Sequence, residues 1–198
     1  MRASEQDRPD VARARARWRV WQRFMDAERF VFLDETGATT KMTSLYGWAP
    51  KGERLVDAAP FGHWKTTTLV AGLRASGLVA PFVIGGAMDG PAFRAYVQQV
   101  LAPELCRGDV VVMDNLAAHK VPGVREAIKA VGASVLYLPA YSPDLNPIEQ
   151  VFAKLKALLR KAAARTKDAL WNAIGLLIDA FEPEECRNYL VNAGYEFE

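Results

Sequence analysis

The sequence predicts an α/β fold, a mixed central sheet with helices packed on both faces, and three observations carry that prediction. Runs rich in Val, Ile, Phe and Thr are followed, in the second half of the chain, by segments with helical spacing of apolar residues. Two of the runs, 30–33 and 110–113, are continuously apolar, as strands covered on both sides by helices are. Between them lie further strand-like stretches joined by short turns, the pattern of an antiparallel meander at one side of a sheet.

Taken in order, the first 28 residues form a basic helical arm. Val11, Trp18, Trp21 and Met25 recur at helical spacing among arginines, and residues 1–29 hold eight Arg against five acids. The Arg-x-Arg pattern makes this arm solvated or partner-facing. Residues 29–34 form the first strand, ending at Asp34 and the turn-like Glu35-Thr36-Gly37. Residues 43–48 are a second candidate strand, 65–73 a third and 78–84 a fourth. A helix is expected over 90–101, where Phe93, Val97 and Leu101 share a face. The buried strand 110–113 ends at Asp114, a helix spans 124–131 and another buried strand 134–138. The turn-rich segment 139–147 precedes a long helix to about residue 164, and a last helix covers 168–181. From Glu182 the chain carries five Glu against one Arg, an acidic C-terminal tail. The boundaries are thus an arm at 1–28, one α/β domain at 29–181 and a tail at 182–198.

With 198 residues, 51% hydrophobic and 24% charged, the chain is long enough for one well-buried core and is not of disordered composition. No apolar run approaches the ~20 residues that span a bilayer, and the N-terminus has no apolar signal segment. Cys106 and Cys186 have no paired spacing, so a zinc site is not expected and reduced, cytoplasmic thiols are. The net charge of +2 hides an uneven distribution. Residues 151–167 hold Lys154, Lys156, Arg160, Lys161, Arg165 and Lys167 and no acid. Such a run is either a solvated helix face or the footprint of a polyanion site.

Asp34 and Asp114 both stand at the carboxyl ends of apolar strands, the edge of an α/β sheet where ligands bind. Carboxylates there suit Mg²⁺, although strand-end Asp also caps turns. Glu149 follows Asn146-Pro147-Ile148, a capping-box-like helix start with Asn146 as N-cap and Pro147 at the first helical position. In that geometry Glu149 either reaches back to the cap or points from the first turn toward the sheet. Three carboxylates from two strands and a helix could hold a pair of divalent ions of the kind that cleaves phosphodiesters. Lys156 and Arg160 share a face of the same helix, which allows a phosphate-backbone track beside the acids. Strand alternation aims Glu35 away from Asp34. Trp48, Lys51 and Arg54 form an aromatic-basic turn suited to DNA, with Trp48 equally suited to the core. His63-Trp64-Lys65 has no metal spacing.

The segments Asp34-Glu-Thr, Tyr46-Gly-Trp-Ala-Pro-Lys-Gly, Asp114-Asn-Leu-Ala-Ala-His119 and Pro139-Ala-Tyr-Ser-Pro-Asp-Leu-Asn-Pro-Ile-Glu149 resemble the DDE catalytic domain of IS630/Tc1/mariner superfamily insertion-sequence transposases. Thirty-four residues separate Asp114 from Glu149, the spacing this superfamily favours. The resemblance implies an RNase H-like fold and a Mg²⁺-dependent recombinase, with two ions and with Mn²⁺ as a substitute. Asp34, Asp114 and Glu149 would be the catalytic and metal-binding triad, with Asn115 and His119 in support. Lys154, Lys156, Arg160, Lys161, Lys51 and Arg54 would contact DNA. The implied reaction is water attack on a phosphodiester at a transposon end, then attack of the freed 3′-OH on target DNA at TA sites. A homodimer in the bacterial cytoplasm, associated with the nucleoid, is implied as well. The family's N-terminal helix-turn-helix modules have no counterpart in the first 28 residues, so DNA reading is expected from a separate subunit. The alternatives are a nuclease-inactive helper or remnant and a phosphohydrolase of the haloacid dehalogenase type. The latter wants a second Asp at the position of Thr36. A P-loop ATPase lacks its Gly-x-x-x-x-Gly-Lys-Ser/Thr segment.

Overall fold

The computed structural model describes residues 3–44, 46–56, 58, 60, 61 and 64–197. Five strands form one sheet: β1 (Phe30–Thr39), β2 (Thr66–Arg74), β3 (Gly77–Gly85), β4 (Val110–Met113) and β5 (Ser134–Tyr137). Their spatial order is β3-β2-β1-β4-β5. β1, β2 and β3 form an antiparallel meander, and β4 and β5 run parallel to β1. The sheet is therefore mixed, as the sequence predicts. β1 and β4 are its central strands, and residues 30–33 and 110–113 are buried, most of them completely. The parallel register pairs Leu33 with Met113, so Asp34 and Asp114 follow one step on, at the same sheet edge.

The period of two along β1 sends alternate side chains to different layers. Phe30 and Phe32 join a core with α4 (Ile148–Ala162), α5 (Lys167–Ile178) and α6 (Pro183–Asn192). Val31 and Leu33 join a second core with α2 (Gly90–Tyr96) and α3 (Val124–Ala130). After α2 the expected helix loosens into a π turn at Val97–Leu101 and a 3-10 turn at Ala102–Glu104. Pro103 has no N–H to continue the ladder, and regular helix ends there.

The strand expected at 43–48 does not form among its described residues. Both edges of β1 are already taken by β2 and β4, and Tyr46 and Trp48 stand in solvent rather than on a sheet face. Residue 45 of that segment, and His63, lie outside the described residues.

Both ends of the chain are built into the domain. The arm forms α1 (Pro9–Trp21), with Pro9 at the first helical position, and packs Trp18 and Trp21 against the α4–α6 core. The Trp18 Nε1–H donates to the Tyr195 hydroxyl at 3.0 Å, and Gln22 Nε2 donates to the Gly194 carbonyl at 2.7 Å. The stretch expected as an acidic tail folds as α6 and its extension, in which Cys186, Leu190 and Tyr195 have no exposure. Glu184 and Glu185 lie in the first turn of α6, where the helix dipole favours acids, while Cys186 and Leu190, four apart, face the core.

Candidate active site

Asp34, Asp114 and Glu149 come from three elements to the wall of one cavity of about 380 Å³. Asp34 lies on the α4 face of β1 and is buried. Asp114 is the first residue past β4, and Glu149 is the second residue of α4, exposed to the cavity. Asn115, Tyr141, Ser142 and Asn146 share the lining.

Asp34 is held from both sides. Its Oδ1 accepts the Glu35 N–H at 2.7 Å and its Oδ2 accepts from Asn146 Nδ2 at 2.8 Å. Burial pushes its carboxyl up to about 7; the Glu35 N–H opposes the rise, and the charges of Asp114 and Glu149 add to it. Asp114 goes the other way. Burial raises it, but His119, the Leu116 N–H at 3.1 Å and Lys120 together hold it below the ordinary carboxylate range.

His119 is completely buried, with its ring 4.5 Å from that of Phe93. Its Nδ1 lies 2.6 Å from Asp114 Oδ1, off the axis of an ideal N–H···O bond. Burial would lower its pKa, but the Asp114 carboxylate outweighs burial and raises it. With no exposure it cannot meet a phosphate; it stands behind Asp114. Glu35 faces the layer opposite Asp34, as alternation predicts, and burial raises its carboxyl.

The sequence reading of Asn146 as a helix cap is corrected. α4 has Pro147 at its N-cap with no side-chain cap bond, and the Asn146 amide turns instead to Asp34. Glu149 closes no capping box and stays free to face the cavity. Asn146 is thus a site residue that sequence reasoning missed, because Asn before Pro at a helix start carries the same signature in either role.

The basic residues divide by angle. At ~100° per residue, Lys156 and Arg160 fall within about 20° of Glu149 around α4, while Lys154 and Lys161 fall about 120–140° away. Lys154 is tied to Glu185 of α6, with its Nζ 2.7 and 2.6 Å from the two carboxylate oxygens and 4.8 Å from the Phe181 ring centre. It is therefore engaged by the core layer. Lys156, Arg160 and Lys161 make no ion pair among the described residues. Lys51 and Arg54 are exposed in the segment between β1 and β2 and do not line the cavity; Trp48 beside them is fully exposed, not packed on the core.

The donor set fits a hard divalent cation. Three carboxylates face one cavity, and burial, with added repulsion from Asp114 and Glu149, raises Asp34, a penalty that a bound cation relieves. Among the described residues no three acid, His or Cys side chains are already drawn together around one point. Asp34 instead accepts from Asn146, and Asp114 lies 2.6 Å from His119 Nδ1.

No curated protein matches the chain in sequence. Among solved structures, the Mos1 transposase in its paired-end complex with the left transposon end matches with a TM-score of 0.75 at 18% identity, over 100% of this chain and 66% of that one. The Mos1 strand transfer complex matches at 0.73 and 17% identity, over 100% of this chain and 64% of that one. The catalytic domain of Mos1 mariner transposase matches at 0.66 and 16% identity, over 100% of this chain and 98% of that one. The chain thus spans just under two thirds of the longer Mos1 chains and the length of their catalytic domain. These likenesses establish an RNase H-like fold. The profile of the DDE superfamily endonucleases matches residues 29–171, from the first residue before β1 into α5. With that match covering most of its length, the chain belongs to the DDE superfamily of endonucleases.

Proposed function

We propose that this chain is the catalytic part of a metal-dependent DNA transposase, with Asp34, Asp114 and Glu149 as its metal-binding and catalytic acids. The observation that carries the proposal is the convergence of those three carboxylates, from β1, β4 and α4, on one cavity. Related structures support it: Mos1 complexes are described with transposon ends, with Mn and with Mg. The reaction is in-line attack of water on a phosphodiester at a transposon end, breaking its P–O3′ bond to leave a 3′-OH and a 5′-phosphate. That 3′-OH then attacks a target phosphodiester at a TA site, joining to its phosphorus and releasing the target strand's own 3′-OH. Asp34, Asp114 and Glu149 would hold a pair of Mg²⁺ or Mn²⁺ ions, which would supply charge neutralisation at the phosphate and a more acidic water.

The chain's own residues do the positioning. Asn146 fixes the Asp34 carboxylate from one side, and the Glu35 N–H fixes it from the other. His119 sets the rotamer of Asp114 from the buried layer. Asn115 lies exposed at the cavity lip beside Asp114, within reach of a DNA strand. Lys156 and Arg160 continue along α4 from Glu149 and take the next phosphates of the backbone. The partners are transposon-end and target DNA and a second copy of the chain, in the bacterial cytoplasm at the nucleoid. No helix among the described residues is long and apolar enough to cross a membrane.

Purified protein with Mg²⁺ or Mn²⁺ is expected to nick DNA, and Asp114→Ala to lower the rate at least a hundredfold with DNA binding retained. Equal cutting by Asp114→Ala sinks the triad assignment. Tight binding without any cutting by the wild type favours the helper reading.

A further inference from the structure

α1 is tied to the cavity wall chiefly through one buried cation, Arg15, while the exposed Arg19 Nη2 adds a longer contact of 3.3 Å to Oδ2 of the same Asp144 carboxylate. Arg13, Arg17, Arg19 and Arg23 are exposed, but the Arg15 side chain is only 9% exposed. A guanidinium this deep is costly unless paired with an anion, and Arg15 is. Its Nη1 donates to Ser142 Oγ at 2.8 Å and to Asp144 Oδ1 at 2.9 Å, and its Nη2 donates to Asp144 Oδ2 at 2.7 Å. This is the bidentate fork that gives an Arg–carboxylate pair its directionality. Arg15 Nη1 also reaches the Tyr141 carbonyl at 3.3 Å, and Gln6 Nε2 donates to the same oxygen at 2.7 Å.

The residues so gripped belong to the cavity. Tyr141, Ser142, Pro143 and Asn146 line it. Tyr141 has φ of 57°, in the left-handed region that non-glycine residues rarely adopt, so this turn needs outside contacts to persist. Two residues past Asp144, Asn146 donates to Asp34, and three residues further Glu149 faces the cavity. One short segment therefore links the Arg15 fork to two of the three acids.

We propose that Arg15 is a positioning residue: by gripping Tyr141, Ser142 and Asp144 it holds the segment that aims Asn146 at Asp34 and Glu149 into the cavity. The N-terminal helix then sets how well the carboxylates take up a metal ion. This rests on the reading of Asp34, Asp114 and Glu149 as metal ligands.

The test is Mn²⁺ titration of the full chain without DNA, by calorimetry or by the loss of free-ion EPR signal, well below the melting temperature. Arg15→Lys keeps the charge and loses the fork; Asp144→Asn keeps the size and loses the charge. Each is expected to weaken Mn²⁺ binding roughly tenfold, the size of effect that groups supporting metal ligands have. Nicking kcat should fall alongside, with DNA affinity unchanged. The exchange Arg15→Asp with Asp144→Arg should recover part of the Mn²⁺ affinity. Wild-type Mn²⁺ affinity in Arg15→Lys and Asp144→Asn overturns the proposal. Should those variants not fold, Gln6→Ala and Ser142→Ala carry the same test, and unchanged affinity in both overturns it. Asp114→Ala separates the two ideas. If it binds Mn²⁺ like wild type, the metal-site reading itself fails; if it loses the ion while Arg15→Lys does not, only the positioning role falls.

Discussion

Asp34 is the residue on which burial and charge act together. Its ordinary value of 3.8 is pushed up to about 7, so in the metal-free protein the folded state binds a proton that the unfolded state has released. Stability therefore declines as pH rises from about 4 to about 7 and is level above that. Asp34→Asn removes the decline. The Asn146 Oδ1, which has no hydrogen-bond partner among the described residues, is available to accept from the new amide once the Asn146 amide turns over. The metal-free variant is expected to melt a few degrees above wild type at pH 7.5 and level with it at pH 4.5, read by thermal scans at both pH values. A gain of about 1 kcal/mol corresponds to ~2–4 °C for a chain of this size. Nicking should be lost in the same variant. At this scale the acids were legible because strand ends and a helix start are positions the sequence marks. Asn146 was not: its amide chooses between a helix N–H and a carboxylate 112 residues away, and only the closed fold brings that carboxylate near. The depth of His119 was equally hidden, because nothing local says that its ring will lie on Phe93.

At the scale of the element, α4 carries both the third acid and the basic run, and the helix turn decides which cations serve which purpose. A charge count treats residues 151–167 as one patch. Helical geometry splits it into a stripe below Glu149, with Lys156 and Arg160, and an inner side on which Lys154 meets Glu185. The double change Lys156→Ala, Arg160→Ala should weaken DNA binding and reduce the slope of log K against log salt by ~1–2, since each neutralised phosphate contributes about 0.9. Lys154→Ala should leave that slope unchanged and lower stability by up to ~1 kcal/mol, because its pair with Glu185 is about one third exposed. Fluorescence anisotropy over a salt series, with urea melts alongside, checks both; an unchanged slope in the double variant would make the stripe an ordinary solvated face. Among its described residues, the strand expected at 43–48 fails for a reason of the same kind. Its residues have strand character, but a strand needs an open edge, and β1 has none to offer.

For the whole molecule, the decisive feature is that both chain ends close over the same face of the sheet. Charge counts at the ends suggested appendages, an arginine-rich arm and an acidic tail, because a count sums over a segment and is blind to which side of a helix each charge occupies. The apolar residues between the charges decide the matter. Tyr195 is the meeting point: it is fully buried, its ring lies 5.3 Å from Phe30 and 4.7 Å from Phe32, it accepts from Trp18 of α1, and its hydroxyl donates to the Leu145 carbonyl at 2.8 Å. One side chain thus joins the last segment, the first helix, the central strand and the segment beside the acids. Tyr195→Ala should cost ~3–5 kcal/mol, the range for emptying a buried aromatic site. Tyr195→Phe keeps the packing and strands the buried Leu145 carbonyl and the half-buried Trp18 N–H, for ~1–3 kcal/mol. Because one of those partners is Leu145, next to Asn146, Tyr195→Phe should also lower nicking more than its loss of stability alone explains at a temperature where it remains folded. Urea unfolding and nicking rates, measured on the same preparations, test this together with a chain ended at residue 181. That truncated chain lacks α6 and Tyr195 and is expected to lose cooperative unfolding. If it unfolds with the midpoint of the intact protein, the C-terminal segment is the appendage its charge suggests, and the core closes without it.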